Sequence, residues 1–196
     1  MNKRIITIIV IVLVVFILYN FFAGRYNKMV ALDEEVNTEW ANVETQYQRR
    51  YDLIPNLVNT VKGFAAQEKE VLTGVTEARA KASSIQIDPS NLDAAALQNF
   101  SQAQGQLNSA LSRLLVTVER YPELKSNQNF LELQAQLEGT ENRISVSRTR
   151  FNTKAKDYNT YIRSFPNSAL SGMFGFERKP LYEAAEGAEA APAVEF

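Results

Sequence analysis

The 196-residue sequence contains no histidine and no cysteine. The first absence excludes His-based catalytic triads, HExxH zinc sites and Glu-x-x-His di-metal centres. The second excludes thiol catalysis, thiolate zinc and disulfides, and leaves the redox compartment open. Charge of one sign is also lacking: Lys and Arg total 21 against 22 Asp and Glu, a net charge of -1, so nothing argues for a nucleic-acid surface. No glycine-rich phosphate loop is present, and no proline precedes Pro55. The sequon Asn99-Phe100-Ser101 places Phe100 in a core seam (below) and is taken as a chance match.

What is present begins with a long apolar run, Ile5 to Phe22, interrupted only by Thr7 and Tyr19-Asn20. As a helix it is ~27 Å long, close to the ~30 Å of a bilayer's hydrocarbon, and a helix is the one state that pairs its backbone in lipid. A cleaved signal peptide calls for a shorter run and a small-x-small site; Tyr19, Phe21, Phe22 and Arg25 follow instead. The expectation is an uncleaved single-pass anchor. Lys3, Arg4 and the terminal amine before it outnumber Arg25 and Lys28 after it, which favours the N-terminus inside and the remainder outside.

Beyond the anchor, apolar residues recur at spacings of three and four. Helix one spans 27 to 50 through Val36, Trp40, Val43 and Tyr47. A break is expected at Arg50 to Pro55, with Asp52 as N-cap and Pro55 in a first turn; one helix kinked at Pro55 is the alternative. Helix two, 53 to 84, follows Leu57, Phe64, Val71, Ala78 and Ile85, beside Ile54, Val61, Glu68, Val75 and Ala82. A turn at 83–91 holds a cap at Ser90 or Asn91. Helix three runs to Tyr121 through Phe100, Leu107 and Leu114. After Tyr121 to Asn127, helix four follows Phe130, Leu137, Ile144, Phe151, Tyr158 and Phe165 to Pro166. An apolar loop covers 167–182 and an acidic, disordered tail 183–196.

These elements predict an all-α protein: one N-terminal transmembrane helix (5–22), then an antiparallel up-and-down four-helix bundle (27–166). Connectivity then puts the first and third loops at the membrane-distal tip, and Met173 to Phe176 toward the bilayer.

Several residues stand out. Gln46 to Arg50 is either a docking surface or a solvated last turn. Asp33, Glu68, Glu141 and Arg148 lie on or beside seams; Asp33 with Arg148 is expected to be an ion pair that sets register. A metal-dependent hydrolase using Glu68 and Glu141 is a distant third reading, since no histidine joins them. Trp40, the only tryptophan, is a core anchor. Met173, Phe174 and Phe176 either touch membrane or a partner, or plug the bundle end.

Trp40-Ala41-Asn42-Val43-Glu44, Gln46 to Ala65 (QYQRRYDLIPNLVNTVKGFA), Glu77-Ala78-Arg79-Ala80, Glu119 to Lys125, Glu141 to Ile144 with Arg148, Tyr158-Asn159 and Phe165-Pro166 together resemble the LemA family. Phe151-Asn152, where the family often has Tyr-Asn, is a departure. The resemblance implies a bacterial envelope protein with one anchor, a helical bundle and no established enzymatic activity. Family members are often encoded near membrane proteases, and one branch belongs to magnetosome membranes. The signature is densest at Gln46 to Asn56 and Tyr121 to Lys125, which suggests a contact surface at the tip built from Gln46, Gln48, Arg49, Arg50, Asp52, Pro55, Asn56, Tyr121 and Pro122. Trp40, Glu68, Glu141, Asn142, Arg148 and Tyr158 are then structural motif residues.

The expected function is a non-enzymatic membrane-anchored scaffold or adaptor. No catalytic, cofactor-binding or metal-binding residue is assigned. The expected partners are membrane lipid, an envelope protein and further copies of the chain, with no nucleic acid. A membrane assembly or remodelling module is the second reading.

Overall fold

The computed structural model describes residues 3–89 and 92–182. The cap expected at Ser90 or Asn91 and the tail at 183–196 lie outside them. The described residues contain six helices and no strand: α1 (Lys3–Phe64), α2 (Lys69–Ser84), α3 (Ala94–Val118), α4 (Pro122–Lys125), α5 (Gln128–Arg163) and α6 (Asn167–Phe174).

The 62 residues of α1 make a rod of about 93 Å. Its N-terminal part is long and apolar enough to cross a membrane, with a mean hydropathy of 3.0 over 18 residues and none of that window buried against the rest of the protein. Further on, the same helix turns a core stripe inward: Met29, Leu32, Val36, Trp40, Val43, Tyr47, Arg50, Tyr51, Ile54, Leu57 and Val61 are all buried. The three- and four-residue spacing runs in phase straight through Pro55.

The break expected between Arg50 and Pro55 is therefore absent, and α1 continues for nine residues beyond the proline. Proline removes the N–H that would bond the carbonyl four residues back. That carbonyl belongs to Tyr51, and the Nε of Arg79 on α2 donates to it at 2.7 Å. The orphaned acceptor is thus satisfied by a neighbouring helix. The chain reverses later, at Ala65 to Glu68, where Ala65 is buried and Glu68 N donates to Ala65 O at 3.1 Å. Expected helices one and two are accordingly one helix and a shorter α2.

Capping side chains start the later helices. Asp93 accepts from the N–H of Ala96 at 2.6 Å and begins α3. Asn127 accepts from Phe130 N at 3.1 Å and begins α5. Pro122 opens the single turn of α4, as suits a residue without an N–H. The stretch expected as an apolar loop contains α6, which ends at Gly175 in the left-handed conformation (φ 75°).

α1 packs most extensively on α5, and α2 on α3. Polar links of α1 with α5 and α6 run in opposite chain order: Arg25 to Asn167 of α6 (3.2 Å), Glu35 to Lys154 of α5 (2.7 Å), Arg50 to Glu141 of α5 (2.9 Å). At the far end, Gln67 and Glu68 meet Tyr121, which places the Ala65–Glu68 turn beside α4. Trp40 is fully buried between Phe100 of α3 (5.8 Å between ring centres), Phe151 of α5 (5.5 Å) and Tyr182 (6.1 Å, stacked). Two expected seam residues are not in the core. Phe165 is 90% exposed, because α5 ends at Arg163, and Phe64 is exposed on the last turn of α1.

Candidate functional site

Arg50 sits at the middle of a polar node that ties four helices together. Its side chain is only 2% exposed, whereas that of its ion-pair partner Glu141 is 52% exposed. Nη1 donates to Asn108 Oδ1 at 2.8 Å and to Glu141 Oε2 at 2.9 Å. Nη2 donates to Gln104 Oε1, and Gln104 Nε2 in turn donates to the Tyr51 hydroxyl. That hydroxyl donates to the carbonyl of Ala82 on α2 at 3.2 Å. The Arg50 guanidinium also lies 5.1 Å from the centre of the Tyr47 ring. A charge in such a place is tolerable only when paired and hydrogen-bonded. Burial raises the hydroxyl pKa values of both Tyr47 and Tyr51, so both remain neutral.

The expected tip patch is corrected by this geometry. Gln46, Gln48, Arg49, Arg50, Asp52, Pro55 and Asn56 lie inside α1, about 12 to 27 Å before its end at Phe64. Gln48 donates to Asp52 at 2.8 Å on the exposed side of the helix. Gln48, Arg49 and Asp52, with Glu44, form one wall of a side groove of about 890 Å³. Its other wall is the α2–α3 connection, with Ser83, Ile85, Gln86 and Ile87. Burial pushes the Glu44 carboxyl above its usual pKa, opposed in part by the adjacent Trp40 indole. Gln46 is half-buried toward the other side, while Pro55 and Asn56 are exposed above the groove.

Tyr121 and Pro122 do occupy the far end. The Tyr121 hydroxyl donates to Glu68 at 2.7 Å and accepts from Gln67 at 2.9 Å; the Glu68 carboxylate raises its pKa. Arg120 also pairs with Glu68, at 3.3 Å. Glu68 is thus bound at the end turn while Glu141 pairs with Arg50 more than ten residues' rise lower, so the two carboxylates do not converge on one metal. Among the described residues no group of three metal-ligating side chains is gathered. A second groove, about 330 Å³, opens between α3 and α5 above the node, with Leu57, Leu111, Leu115 and Leu137 in its walls.

The membrane-side half is closed by the segment after α6. Asn159 Nδ2 donates to Lys179 O at 2.8 Å, and Lys179 N donates back to Asn159 Oδ1 at 2.9 Å. Asn152 holds Tyr182 in the same reciprocal way, at 2.9 and 2.8 Å. The pair expected between Asp33 and Arg148 is replaced: Asp33 pairs with Lys179 at 3.1 Å, and Arg148 lies over the Tyr182 ring at 4.3 Å. Tyr158 is buried, which pushes its hydroxyl up to about 12, with Asp33 and Glu177 adding to the effect. Asn142 is exposed on α5. Phe174 and Phe176 pack edge-on against Tyr26 of α1 at 5.0 and 5.6 Å, and Met173 is 76% exposed.

Sequence reasoning passed over Gln104, Asn108 and Lys179, and took Arg79 and Asn152 only as motif positions without a role. Gln104 had a signal: it is a polar residue directly beside the Phe100, Ala103, Leu107 stripe. Lys179 had none, because its side-chain partners are 90 and 146 residues away in Pro89 and Asp33.

The LemA family model matches residues 39–196. The chain is 29% identical over 173 residues to the magnetosome protein MamQ of Magnetospirillum gryphiswaldense, covering 79% of this chain and 63% of that one. It is 26% identical over 178 residues to magnetosome protein MamQ 2 of Paramagnetospirillum magneticum, covering 81% and 65%. Protein LemA of Metamycoplasma hominis is 21% identical over 179 residues, covering 91% and 78%. The chain thus spans slightly less than two thirds of the length of its magnetosome relatives.

Proposed function

The chain belongs to the LemA family, and on that premise we propose that it is a non-enzymatic, membrane-anchored scaffold or adaptor of the bacterial cell envelope. The observation that carries this reading is the continuity of α1. One helix holds both the apolar span and the motif wall of Gln48, Arg49 and Asp52, so the anchor sets the height and direction of that wall. The reverse-order links between α1 and α5 support an antiparallel bundle of α1, α2, α3 and α5 standing on the anchor. The groove beside the motif wall, rather than the tip, is the surface that takes a protein partner or a second copy. The charge balance around the anchor favours this bundle lying outside the cytoplasmic membrane.

The test is photo-crosslinking in cells. A crosslinking residue at Arg49 is expected to capture a discrete protein adduct, while one at Glu123, on α4 at the far end, captures little. Adducts only at Glu123 return the contact surface to the tip. No adduct at either position, with the chain in the membrane, removes the adaptor reading.

The exposed Met173 and Phe165 favour a second reading, in which the membrane-facing end contributes to membrane assembly or remodelling. The named magnetosome relatives are compatible with it. Phe174→Glu with Phe176→Glu then abolishes membrane effects, but leaves crosslinking at Arg49 intact under the adaptor reading.

A further inference from the structure

We propose that the membrane-facing end of the folded part is a basic surface for anionic lipid headgroups, with Arg163 at the depth of their phosphates and Lys156 and Arg178 above it. The inference rests on the reading of α1 as a membrane anchor and adds a lipid preference to it. Lys156, Thr160 and Arg163 fall at i, i+4 and i+7 and so share one face of α5. Arg178 and Leu181, from the segment clamped by Asn152 and Asn159, close the other side of a cavity of about 390 Å³. Among the described residues no carboxylate lines it.

Among the described residues, none of the three cations is in an ion pair, unlike Lys154, Lys179, Arg50, Arg120 and Lys125. Three positive charges around one cavity repel each other unless an anion joins them, and no carboxylate of the described residues pairs with them.

The position of the cavity identifies the anion. Lys154 stands opposite Glu35, and Asn167 opposite Arg25. Arg163 is therefore level with about residue 26 of α1, roughly 6 Å beyond the apolar run that ends at Phe22. A headgroup layer is about 5–8 Å deep on each side of the hydrocarbon. Lys156 and Arg178, the latter beside the Lys179–Asp33 pair, lie about 10 Å further out, above the headgroup layer but within about one Debye length of it, and add longer-range attraction. Exposed Phe165 and Met173 flank the same end and suit the layer below the phosphates. Cations at this depth attract anionic lipid.

The test uses the full chain reconstituted in vesicles of phosphatidylcholine and phosphatidylglycerol, extracted mildly, with the retained lipid counted by native mass spectrometry. The wild-type chain is expected to retain phosphatidylglycerol preferentially. Arg163→Gln with Arg178→Gln lowers that preference at least about fivefold, the scale of one juxtamembrane cation, while Arg163→Lys with Arg178→Lys preserves most of it. Arg113→Gln with Lys69→Gln, an equal charge loss on the far half, leaves it unchanged. No preference in the wild type, or an equal fall with the far pair, overturns the proposal. So does displacement of the lipid by inorganic phosphate at matched ionic strength, which marks a site for the free anion. Co-flotation with pure phosphatidylcholine vesicles tests the anchor separately: a chain that floats without lipid preference keeps its anchor and loses the site.

Discussion

Arg50 sets the terms at the scale of single residues. A guanidinium this deeply buried is held by three side chains from two other helices, so removing it leaves Gln104 short of a partner inside the core. Arg50→Ala is expected to cost about 2–3 kcal/mol, from the buried Gln104 left without its donor, measured by denaturant unfolding of the full chain in detergent. Glu141→Gln, at a half-exposed position that keeps an acceptor, is expected to cost about 1 kcal/mol; equal losses for the two substitutions contradict the node as described. Glu44 gives a prediction in pH. Its folded pKa is raised, so the native state holds the proton more tightly than the unfolded chain. Stability then falls as pH rises from the ordinary glutamate value through the raised one, and the loss persists above it. Glu44→Gln is expected to raise the melting temperature at pH 7 and to leave it unchanged near pH 4. A variant that melts lower at pH 7 removes burial as the dominant cause.

At the scale of elements, Pro55 and Arg79 form a compensating pair. The proline leaves the Tyr51 carbonyl without its helical donor, and Arg79 supplies one. Arg79→Ala is expected to destabilise by about 1–2 kcal/mol in the native background and by much less once Pro55→Ala restores the backbone N–H. The two losses are therefore non-additive, and a double-mutant cycle showing additivity dismisses the compensation. This pair also explains what was legible in the sequence and what was not. The apolar anchor, the Trp40 and Phe151 core positions, and the α3 and α5 stripes follow from periodicity, because burial on one helix face imposes it. The Pro55 break was a local inference that failed, since the donor that rescues the helix lies 28 residues away from Tyr51. Once α1 is extended, the motif moves from a tip to the flank, and the candidate site moves with it. The clamps of Asn152 and Asn159 were equally hidden: an asparagine on a helix surface gives no sign that an extended segment will bond to its amide.

Both candidate surfaces take their position from one rod, α1. If α1 is unbroken from Lys3 to Phe64, the membrane fixes the height of the Gln48, Arg49 and Asp52 wall and of the Lys156, Arg163 and Arg178 cavity alike. If it reverses at Pro55, the motif becomes an exposed tip and both placements change. The absence of native cysteine makes the most direct test simple. Spin labels at Asn27→Cys and Asn59→Cys, both exposed positions of α1, report the distance between them in the membrane-reconstituted chain by pulsed electron resonance. A continuous helix predicts a single narrow distribution near about 48 Å between backbones, from 32 residues at about 1.5 Å each. A reversal at Pro55 predicts about 36 Å, 28 residues out and four back at about 1.5 Å each, and a distribution centred there would contradict an unbroken α1.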